Sequence, residues 1–531
     1  MTDVIVVGSG PGGVNAAAAL VSAGKRVVML DVGRTDDRYA PIVPSVAFPE
    51  LRQTDRTQHR YFLGDDLEGV PFGPVRVGAQ LTPPRQHITA DRDPRLPVDS
   101  DGFAVVQSLA RGGLGAGWGA GVFPFDGAEL RDLGLDLHEL APHYEAVAAR
   151  IGVSGPLDDL ATFFPPSPSM LPPLELDANA SGILARYARR RARLNGRGFF
   201  LGHARLAVST VRHRERGPER YLDLAYWADP DRSVYRPQWT LAELERAPSF
   251  TYRDGCFVHR FEETPDGVRV VCTTGDREEA HEARALVVAA GTFGSARIVL
   301  ASLGRYDRPV PILCNPYTYA PTLNLGMLGR SAGTRRHGLA QLTAMLRTGD
   351  GGRLVQAQVF SYRSLLTFKL MKEVPLGYRP ALQALRLLMP SFAILGIHHE
   401  DHPTPDKRLV LRRGAGGGPD VLEVRYRPSA AEEAALRRAE GQLLRCFLSL
   451  GCVPFSTIRP GHGANLHYAG TFPMGPAGDE LTCDLDGRLR ACRNVYLADG
   501  SVFPWQPAKG LTFTLMACAD RVGTRLARRL G

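Results

Sequence analysis

The stretch that decides the fold runs from Asp3 to Asp31 and reads DVIVVGSGPGG-VNAAAALVSAG-KRVVMLD. An apolar run enters a Gly-x-Gly-x-x-Gly turn, small residues then predict a helix over 14–23, and a second apolar run ends in an acid. Strand, turn, helix, strand and acid follow one another in the order that a dinucleotide site requires. The stretch therefore predicts an α/β unit that binds a dinucleotide.

Each part of this unit has a physical reason. Gly8 permits the tight turn, Gly10 lets the backbone approach a pyrophosphate, and Gly13 lets the helix pack close to the strand. The helix N-terminus adds free N–H groups and the positive end of a dipole. Asp31 is placed to accept hydrogen bonds from a pair of ribose hydroxyls.

Composition narrows the class of protein and of partner. The chain has 531 residues, too many for a single core, so two or more domains are expected. Its net charge is +9, but the basic residues are spread along the chain without a zinc-finger or RNA-binding signature. A solvated basic surface is therefore favoured, and no nucleic-acid partner is expected.

Cysteine usage and hydropathy bear on the compartment. The eight cysteines include no C-x-x-C pair, which favours reduced, mostly buried thiols over a disulfide or zinc framework. The nucleotide motif begins at residue 4 and leaves no room for a leader before it, and no run of 18 apolar residues follows. We expect a cytoplasmic protein without a membrane-spanning helix.

Three further blocks carry chemical information. Residues 109–121 read LARGGLGAGWGAG, a glycine turn suited to backbone lying against a ligand. Residues 285–300, ALVVAAGTFGSARIVL, predict a buried strand that turns at Gly291 into a helix, a second turn able to approach a nucleotide. The last block combines HYAGTFPMG at 467–475, NVYLADGSVFP at 494–504 and GLTFTLMACA at 510–519.

Together these four blocks resemble the glucose–methanol–choline (GMC) family of flavin-dependent alcohol oxidoreductases. The resemblance covers the N-terminal third, the strand near residue 290 and the last seventy residues, and is loose over 307–459. It implies an α/β fold, α+β overall, with a Rossmann-like FAD-binding domain and a separate substrate-binding domain of sheet and helices. Residues 1–306 and 460–531 would form the discontinuous FAD domain, and 307–459 the cap over the flavin.

The resemblance also assigns cofactor contacts. Asp31 stands where the family usually has Glu, one methylene longer, and Gly117 stands where some relatives carry a histidine bonded to FAD. The cofactor is therefore expected to be non-covalent FAD. The implied cofactor-binding residues are Gly8, Gly10, Gly13, Asp31, Gly112, Gly113, Val258, Gly291, Asp499 and Gly510.

His467 is the predicted catalytic base. It matches the family histidine beside the flavin N5, where an imidazole accepts the hydroxyl proton as hydride leaves the carbon. The family's second catalytic His or Asn aligns with Gly510, which has no side chain to take that role. Lys509 and Thr512 are the candidate substitutes, unless a polar group of the substrate itself serves.

Function stays open between three readings. The favoured one is FAD-dependent oxidation of an alcohol on a sugar, glycoside or natural-product intermediate, with oxygen or a redox partner as electron acceptor. The second hypothesis is a flavin-containing lyase with a non-redox outcome, because the second catalytic residue of the family is missing. A non-catalytic flavin-binding protein is the third.

Two stretches of the cap admit two interpretations each. The run His398-His-Glu-Asp-His402 is read as a solvated loop, with one histidine facing substrate, rather than as a metal site, and no metal is expected. Residues 359–397 mix large apolar side chains with five basic residues. They predict core-packing helices, or else a basic amphipathic lip that makes peripheral contact with an anionic membrane.

Overall fold

The computed structural model describes residues 2–531 except 70–81, 90–92, 166, 226, 332, 334, 350–352, 362–374 and 376. In chain order the α-helices are α1 Pro11–Ser22, α2 Phe48–Thr54, α3 His59–Leu63, α4 Gly127–Asp132, α5 Leu137–Ile151, α6 Ala178–Asn195, α7 Pro237–Leu244, α8 Gly291–Ser302, α9 Tyr378–Leu388, α10 Ala430–Ser449 and α11 Thr512–Arg529.

The strands of the same residues, also in chain order, are β1 Thr2–Val7, β2 Val27–Leu30, β3 Val98–Asp101, β4 Val153–Ser154, β5 Met170–Leu171, β6 Phe199–His203, β7 Phe250–Arg253, β8 Cys256–Thr264, β9 Gly267–Thr274, β10 Arg277–Val288, β11 Val310–Pro311, β12 Leu313–Cys314, β13 Tyr317–Asn324, β14 Leu342–Arg347, β15 Leu354–Phe360, β16 Phe392–His399, β17 Lys407–Arg412, β18 Val421–Tyr426, β19 Cys452–Pro454, β20 Tyr468–Ala469 and β21 Val495–Leu497.

The first sheet is the predicted nucleotide-binding unit. Its strands lie in the order β7-β2-β1-β10-β9-β8, with β21 pairing with the end of β10. The pairs β7–β2, β2–β1, β1–β10 and β10–β21 are parallel, whereas β9 and β8 extend the sheet as an antiparallel ribbon. Parallel strands are covered on both faces, which explains why their sequences are continuous apolar runs.

Small residues allow α1 to lie close to its neighbours. The helix begins at Pro11, three residues before the predicted start, because proline suits the first helical position. A Cβ on Gly523 of α11 would lie 2.5 Å from the Ala16 carbonyl oxygen, so the two helices pack with almost no side chain between them. This contact joins the two ends of the chain, and the parallel sheet together with these helices confirms the predicted α/β fold.

The second sheet is antiparallel and has the strand order β19-β13-β16-β15-β14-β6. One of its faces is apolar and packs against α6 and α10 through buried residues such as Ile183, Ala357 and Phe447. Strand β6 and helix α6 come from 178–203, within the segment that was assigned, with insertions, to the FAD domain. The predicted boundary at 306 therefore does not follow the sheets.

A smaller sheet, β11-β17-β18-β3, also crosses that boundary, since β3 pairs with β18 in parallel. Burial places all eight cysteines inside the protein as free thiols. None of the helices in the described ranges combines the length and the hydropathy that crossing a bilayer would require. Much of the suggested membrane-contacting lip, 362–374 and 376, lies outside the described residues.

Candidate active site

A cavity of about 630 Å³ lies between the first sheet and the C-terminal block. Asp31 and Val258 both line it. They lie near each other because the backbone N–H of Cys256, two residues before Val258, donates to the backbone carbonyl oxygen of Asp31 at 2.9 Å. His467 and Thr512 line it as well. Of the other predicted cofactor residues, the lining includes Gly8, Gly10, Gly113, Gly291 and Asp499.

This lining fits FAD. The N-termini of α1, α8 and α11 all reach the cavity, and free N–H groups at a helix N-terminus attract phosphate and other anions. A Cβ on Gly10 would meet only the Gly112 carbonyl oxygen, at 4.0 Å, and a Cβ on Gly291 would meet no atom of the described residues within 4 Å. The turns thus leave open space where backbone approaches the ligand.

The glycines of the first turn divide into two roles. Gly10 faces open space, but a Cβ on Gly13 would lie 1.9 Å from the Gly8 carbonyl oxygen. Gly13 therefore does not line the cavity and instead permits α1 to dock on β1. In the same way Gly112 shapes the second turn, with φ of +91° and its Cβ position 2.9 Å from Gln238 Oε1, while Gly113 lines the cavity.

Two buried aspartates mark the polar parts of the cavity. Asp31 accepts hydrogen bonds from the hydroxyls of Ser9 and Tyr252, and burial raises its pKa to about 6. Asp499 accepts from the hydroxyl of Ser295 at 2.5 Å and from Ser501 N at 2.9 Å, and burial raises the pKa of this carboxyl too. Both line the cavity, where the resemblance places the adenosine ribose of FAD at Asp31 and the ribityl and phosphate end of the flavin at Asp499.

His467 lines the cavity with a fixed tautomer. Its Nδ1 lies 3.1 Å from Asn315 Oδ1, and Asn315 Nδ2 donates to the carbonyls of His399 and Pro507 at 2.8 and 2.5 Å. Because the amide nitrogen is fully used as a donor, its oxygen accepts, and His467 Nδ1 carries the proton. The lone pair on Nε2 is left for another group.

Burial lowers the pKa of His467 to about 4, so the ring is neutral at pH 7. A neutral imidazole with a defined lone pair is suited to act as a general base. Asn315, which sets this geometry, was not identified from sequence, because it lies in the loosely matching segment 307–459 and no motif surrounds it.

Gly510 lies beside the histidine, where the family alignment placed it. A Cβ on this residue would be 3.5 Å from His467 Cε1 and 3.3 Å from Phe123 Cδ2. Gly510 is not among the residues that line the cavity. Of the two candidate substitutes for the missing side chain, Thr512 lines the cavity, at the first residue of α11.

Lys509 forms a buried ion pair and does not take the predicted catalytic role. Its side chain is fully buried, and Nζ donates to Glu129 Oε2 at 2.7 Å and to the carbonyl oxygen of Phe163 at 2.9 Å. Asp126 Oδ2 is 3.5 Å away. Lys509 does not line the cavity, so the structure assigns it to a buried ion pair that joins the C-terminal block to α4.

His398 and His399 correct the interpretation of 398–402 as a solvated loop. Both are buried and close strand β16, with their side chains on opposite faces. His399 Nε2 lies 3.5 Å from Glu440 Oε1, whereas the His398 ring stacks on His467 with 5.4 Å between ring centroids. The apolar run over 392–397, which leads directly into the two histidines, was the missed sequence signal.

One group of residues in the described ranges could hold a metal ion by geometry: Cys272, Glu279 and His281. It lies on the β9–β10 hairpin and does not line the cavity. Burial raises the pKa of the Cys272 thiol to about 11, so the sulfur is protonated at pH 7 and is a poor ligand. We assign no metal to this group.

Comparison with known proteins finds oxidases that are similar over most of the chain. Residues 418–519 match the C-terminal family model of the GMC oxidoreductases. Paromamine 6'-oxidase of Streptomyces fradiae is 25% identical over 99% of this chain and 91% of its own length. The 6'''-hydroxyparomomycin C oxidase of Streptomyces lividus is also 25% identical, over 99% of this chain and 92% of its own length.

Solved structures share the whole fold. Pyridoxine 4-oxidase from Mesorbium loti superposes with a TM-score of 0.60 at 16% identity, covering 99% of both chains. An FAD-dependent oxidoreductase from Chaetomium thermophilum, solved with a bound fragment, gives 0.59 at 13% identity over 100% of this chain and 99% of that one. The predicted resemblance to the GMC oxidoreductases is confirmed, and with it an alcohol-oxidising enzyme whose cofactor is FAD.

Proposed function

We propose that this enzyme oxidises an alcohol group of a sugar or glycoside, with His467 as the general base. The observation that carries the proposal is the fixed tautomer of His467 at the cavity wall, with its Nε2 lone pair available. The two curated relatives, named as oxidases of paromamine and of a hydroxyparomomycin, favour a substrate of this class.

Two residues of the chain would accept the proton of the substrate hydroxyl and stabilise the charge that results. His467 Nε2 accepts the hydroxyl proton, while Asn315 Oδ1 holds Nδ1–H and stabilises the imidazolium that forms. The hydride of the same carbon leaves with its electron pair, so the C–OH group becomes a carbonyl. Bound FAD supplies the acceptor for that hydride. The N-terminus of α11 reaches the cavity, and its positive dipole end would favour an anionic group bound there.

The test is anaerobic reduction of the bound flavin, followed by absorbance, with a panel of methyl glycosides, amino sugars and polyols. At least one of them should bleach the flavin and yield one carbonyl product per FAD. Release of a carbonyl without bleaching would instead support a lyase. Neither bleaching nor product across the panel would support a flavin-binding protein without catalysis.

We infer from the relatives' names that molecular oxygen reoxidises the flavin. Admission of air to the reduced enzyme should then restore the flavin absorbance and produce hydrogen peroxide. Reoxidation only by an added dye or redox protein would contradict this part of the proposal.

A further inference from the structure

The second sheet has a polar face directed away from its apolar core. Residues paired in register across strands point to the same side, so Tyr317, His398 and Gln356 form one row. The apolar neighbours Ile397 and Ala357 point to the other side, towards α6 and α10. We call the first side the inner face; its polar members are Tyr317, Tyr319, Thr343, Gln356, Gln358 and His398.

Several polar atoms of the inner face are buried without a hydrogen bond. Both amide atoms of Gln356, Nδ1 of His398 and the hydroxyl of Thr343 find no partner among the described residues. Gln356 and Thr343 are fully buried, and His398 is 6% exposed. Buried polar groups are nearly always hydrogen-bonded in folded proteins, so a group of unpartnered ones points to a ligand.

These atoms lie next to the proposed base. The His398 ring stacks on the His467 ring, with 5.4 Å between the ring centroids and 22° between the ring planes. Gln356 on β15 is paired in register with His398 on β16. The inner face also reaches the glycine turn, since a Cβ on Gly121 would lie 3.4 Å from Gln358 Nε2. The polar row therefore lies next to His467, which itself lines the cavity, while no member of the row is among the lining residues.

We propose that His398 and Gln356 bind oxygen atoms of the substrate around the carbon that is oxidised, so that His398 supplies the second polar group that Gly510 lacks. The inference rests on the proposed function and narrows its substrate class. A glutamine amide donates and accepts, as a hydroxyl does, so the pair suits an alcohol with a second hydroxyl on the neighbouring carbon.

The electrostatic state of His398 agrees with this role. Burial is the main cause that lowers the pKa of His398, and the neighbouring His467 lowers it further. The ring is thus neutral at pH 7, with one nitrogen that donates and one that accepts. Two adjacent neutral imidazoles can share a hydroxyl group without the repulsion that two charged rings would suffer.

The experiment uses the methyl glycoside that reduces wild-type flavin fastest, and its analogue that lacks the hydroxyl next to the oxidised carbon. Stopped-flow reduction under anaerobic conditions gives the half-saturating concentration of each. The variants are His398→Leu and Gln356→Leu, and the matched control is His399→Gln, on the same strand but the opposite face. Bound FAD per chain and the melting temperature establish that each variant is folded.

With the parent glycoside, the half-saturating concentration should rise about tenfold or more in His398→Leu and Gln356→Leu, and little in the control. With the deoxy analogue, wild type and variants should bind alike, because the contact is already lost. Should His398→Leu fail to retain FAD, His398→Asn and Gln356→Leu carry the same comparison.

An equal loss with both glycosides, or no loss in either variant, would overturn the inference. If instead no alcohol reduces the wild-type flavin, the proposed function fails, and the inference fails with it. The two failures are distinguished by the behaviour of the wild-type protein alone.

Discussion

The cofactor cavity and the inner face of the second sheet recognise their ligands by different means. The cavity uses backbone: glycine turns and three helix N-termini supply N–H groups and space. The inner face uses side chains of strands β13, β15 and β16, which are far apart along the chain. Recognition by backbone leaves a local signature in the sequence, whereas recognition by side chains across a sheet does not.

His467 stands where the two regions meet. Its own block belongs to the C-terminal signature, but the residue that fixes its tautomer, Asn315, and the ring that stacks on it, His398, come from the loosely matching segment. The proposed base is thus predictable from one region, whereas the residues that fix its tautomer and stack on its ring come from the other.

The largest expected effects come from substituting two glycines of the first turn, Gly13 and Gly10, and the two substitutions should have different outcomes. Gly13→Val should prevent folding, because its Cβ would lie 1.9 Å from the Gly8 carbonyl oxygen. Gly10→Val should fold but lose FAD, because its side chain enters space that the structure leaves open. Soluble yield, circular dichroism and bound flavin measure both. Normal FAD content in folded Gly10→Val would show that this turn does not hold the cofactor.

The next effect concerns the base. His467→Ala should retain FAD and slow substrate-driven flavin reduction by about 100- to 10,000-fold, because the hydroxyl proton loses its acceptor. Stopped-flow reduction at saturating substrate measures that step directly. An unchanged rate would place the base elsewhere.

A stability effect tests the assignment of Lys509. Lys509→Met should lower the free energy of unfolding by about 3–5 kcal/mol, because it leaves the buried carboxylate of Glu129 without its partner. Unfolding in urea measures the loss. The rate of flavin reduction per bound FAD should stay that of wild type, since the ammonium group does not line the cavity. A selective fall in that rate would restore Lys509 as a catalytic candidate.

The pH dependence should report a buried base. Only the neutral form of His467 accepts a proton, and burial lowers its pKa to about 4. Flavin reduction at low substrate should therefore be flat from pH 8 down to about 5, and fall as pH decreases through about 4. Rapid pH-jump mixing limits acid unfolding during the measurement. A rate that instead climbs through pH 6.5 would indicate an exposed, unperturbed imidazole.

The sequence predicted the first sheet well because its determinants are local. An apolar run, a glycine turn and an acid each specify backbone geometry within a few residues, and even the error in α1, which begins at Pro11, is small. The predicted domain boundary does not follow the sheets at β6, since strand membership of 199–203 depends on pairing with β14, over a hundred residues later. A single sequence contains no signal for that pairing.

The candidate site shows the same division. His467 and Asp499 were identified because they sit in blocks of fixed spacing. His398 was assigned to a solvated loop, because a run of polar residues at a strand end resembles a loop unless its burial is known. Lys509 was chosen for its position in sequence, but its ammonium group points to Glu129.

The smallest expected effect lies at Gly510, between the two regions. Gly510→Ala places a methyl group 3.5 Å from His467 Cε1, an ordinary contact, and 3.3 Å from Phe123 Cδ2, where the ring must shift by a few tenths of an ångström. FAD should be retained, and flavin reduction should slow by less than about tenfold, which corresponds to about 1.4 kcal/mol of barrier. If Gly510 instead leaves room for the substrate itself, the methyl group would raise the half-saturating concentration far more than it changes the limiting rate. Saturation curves of flavin reduction separate these two cases. A small, uniform effect would mean that substrate does not occupy the space beside Gly510, as expected if its second polar contact comes from His398 on the sheet.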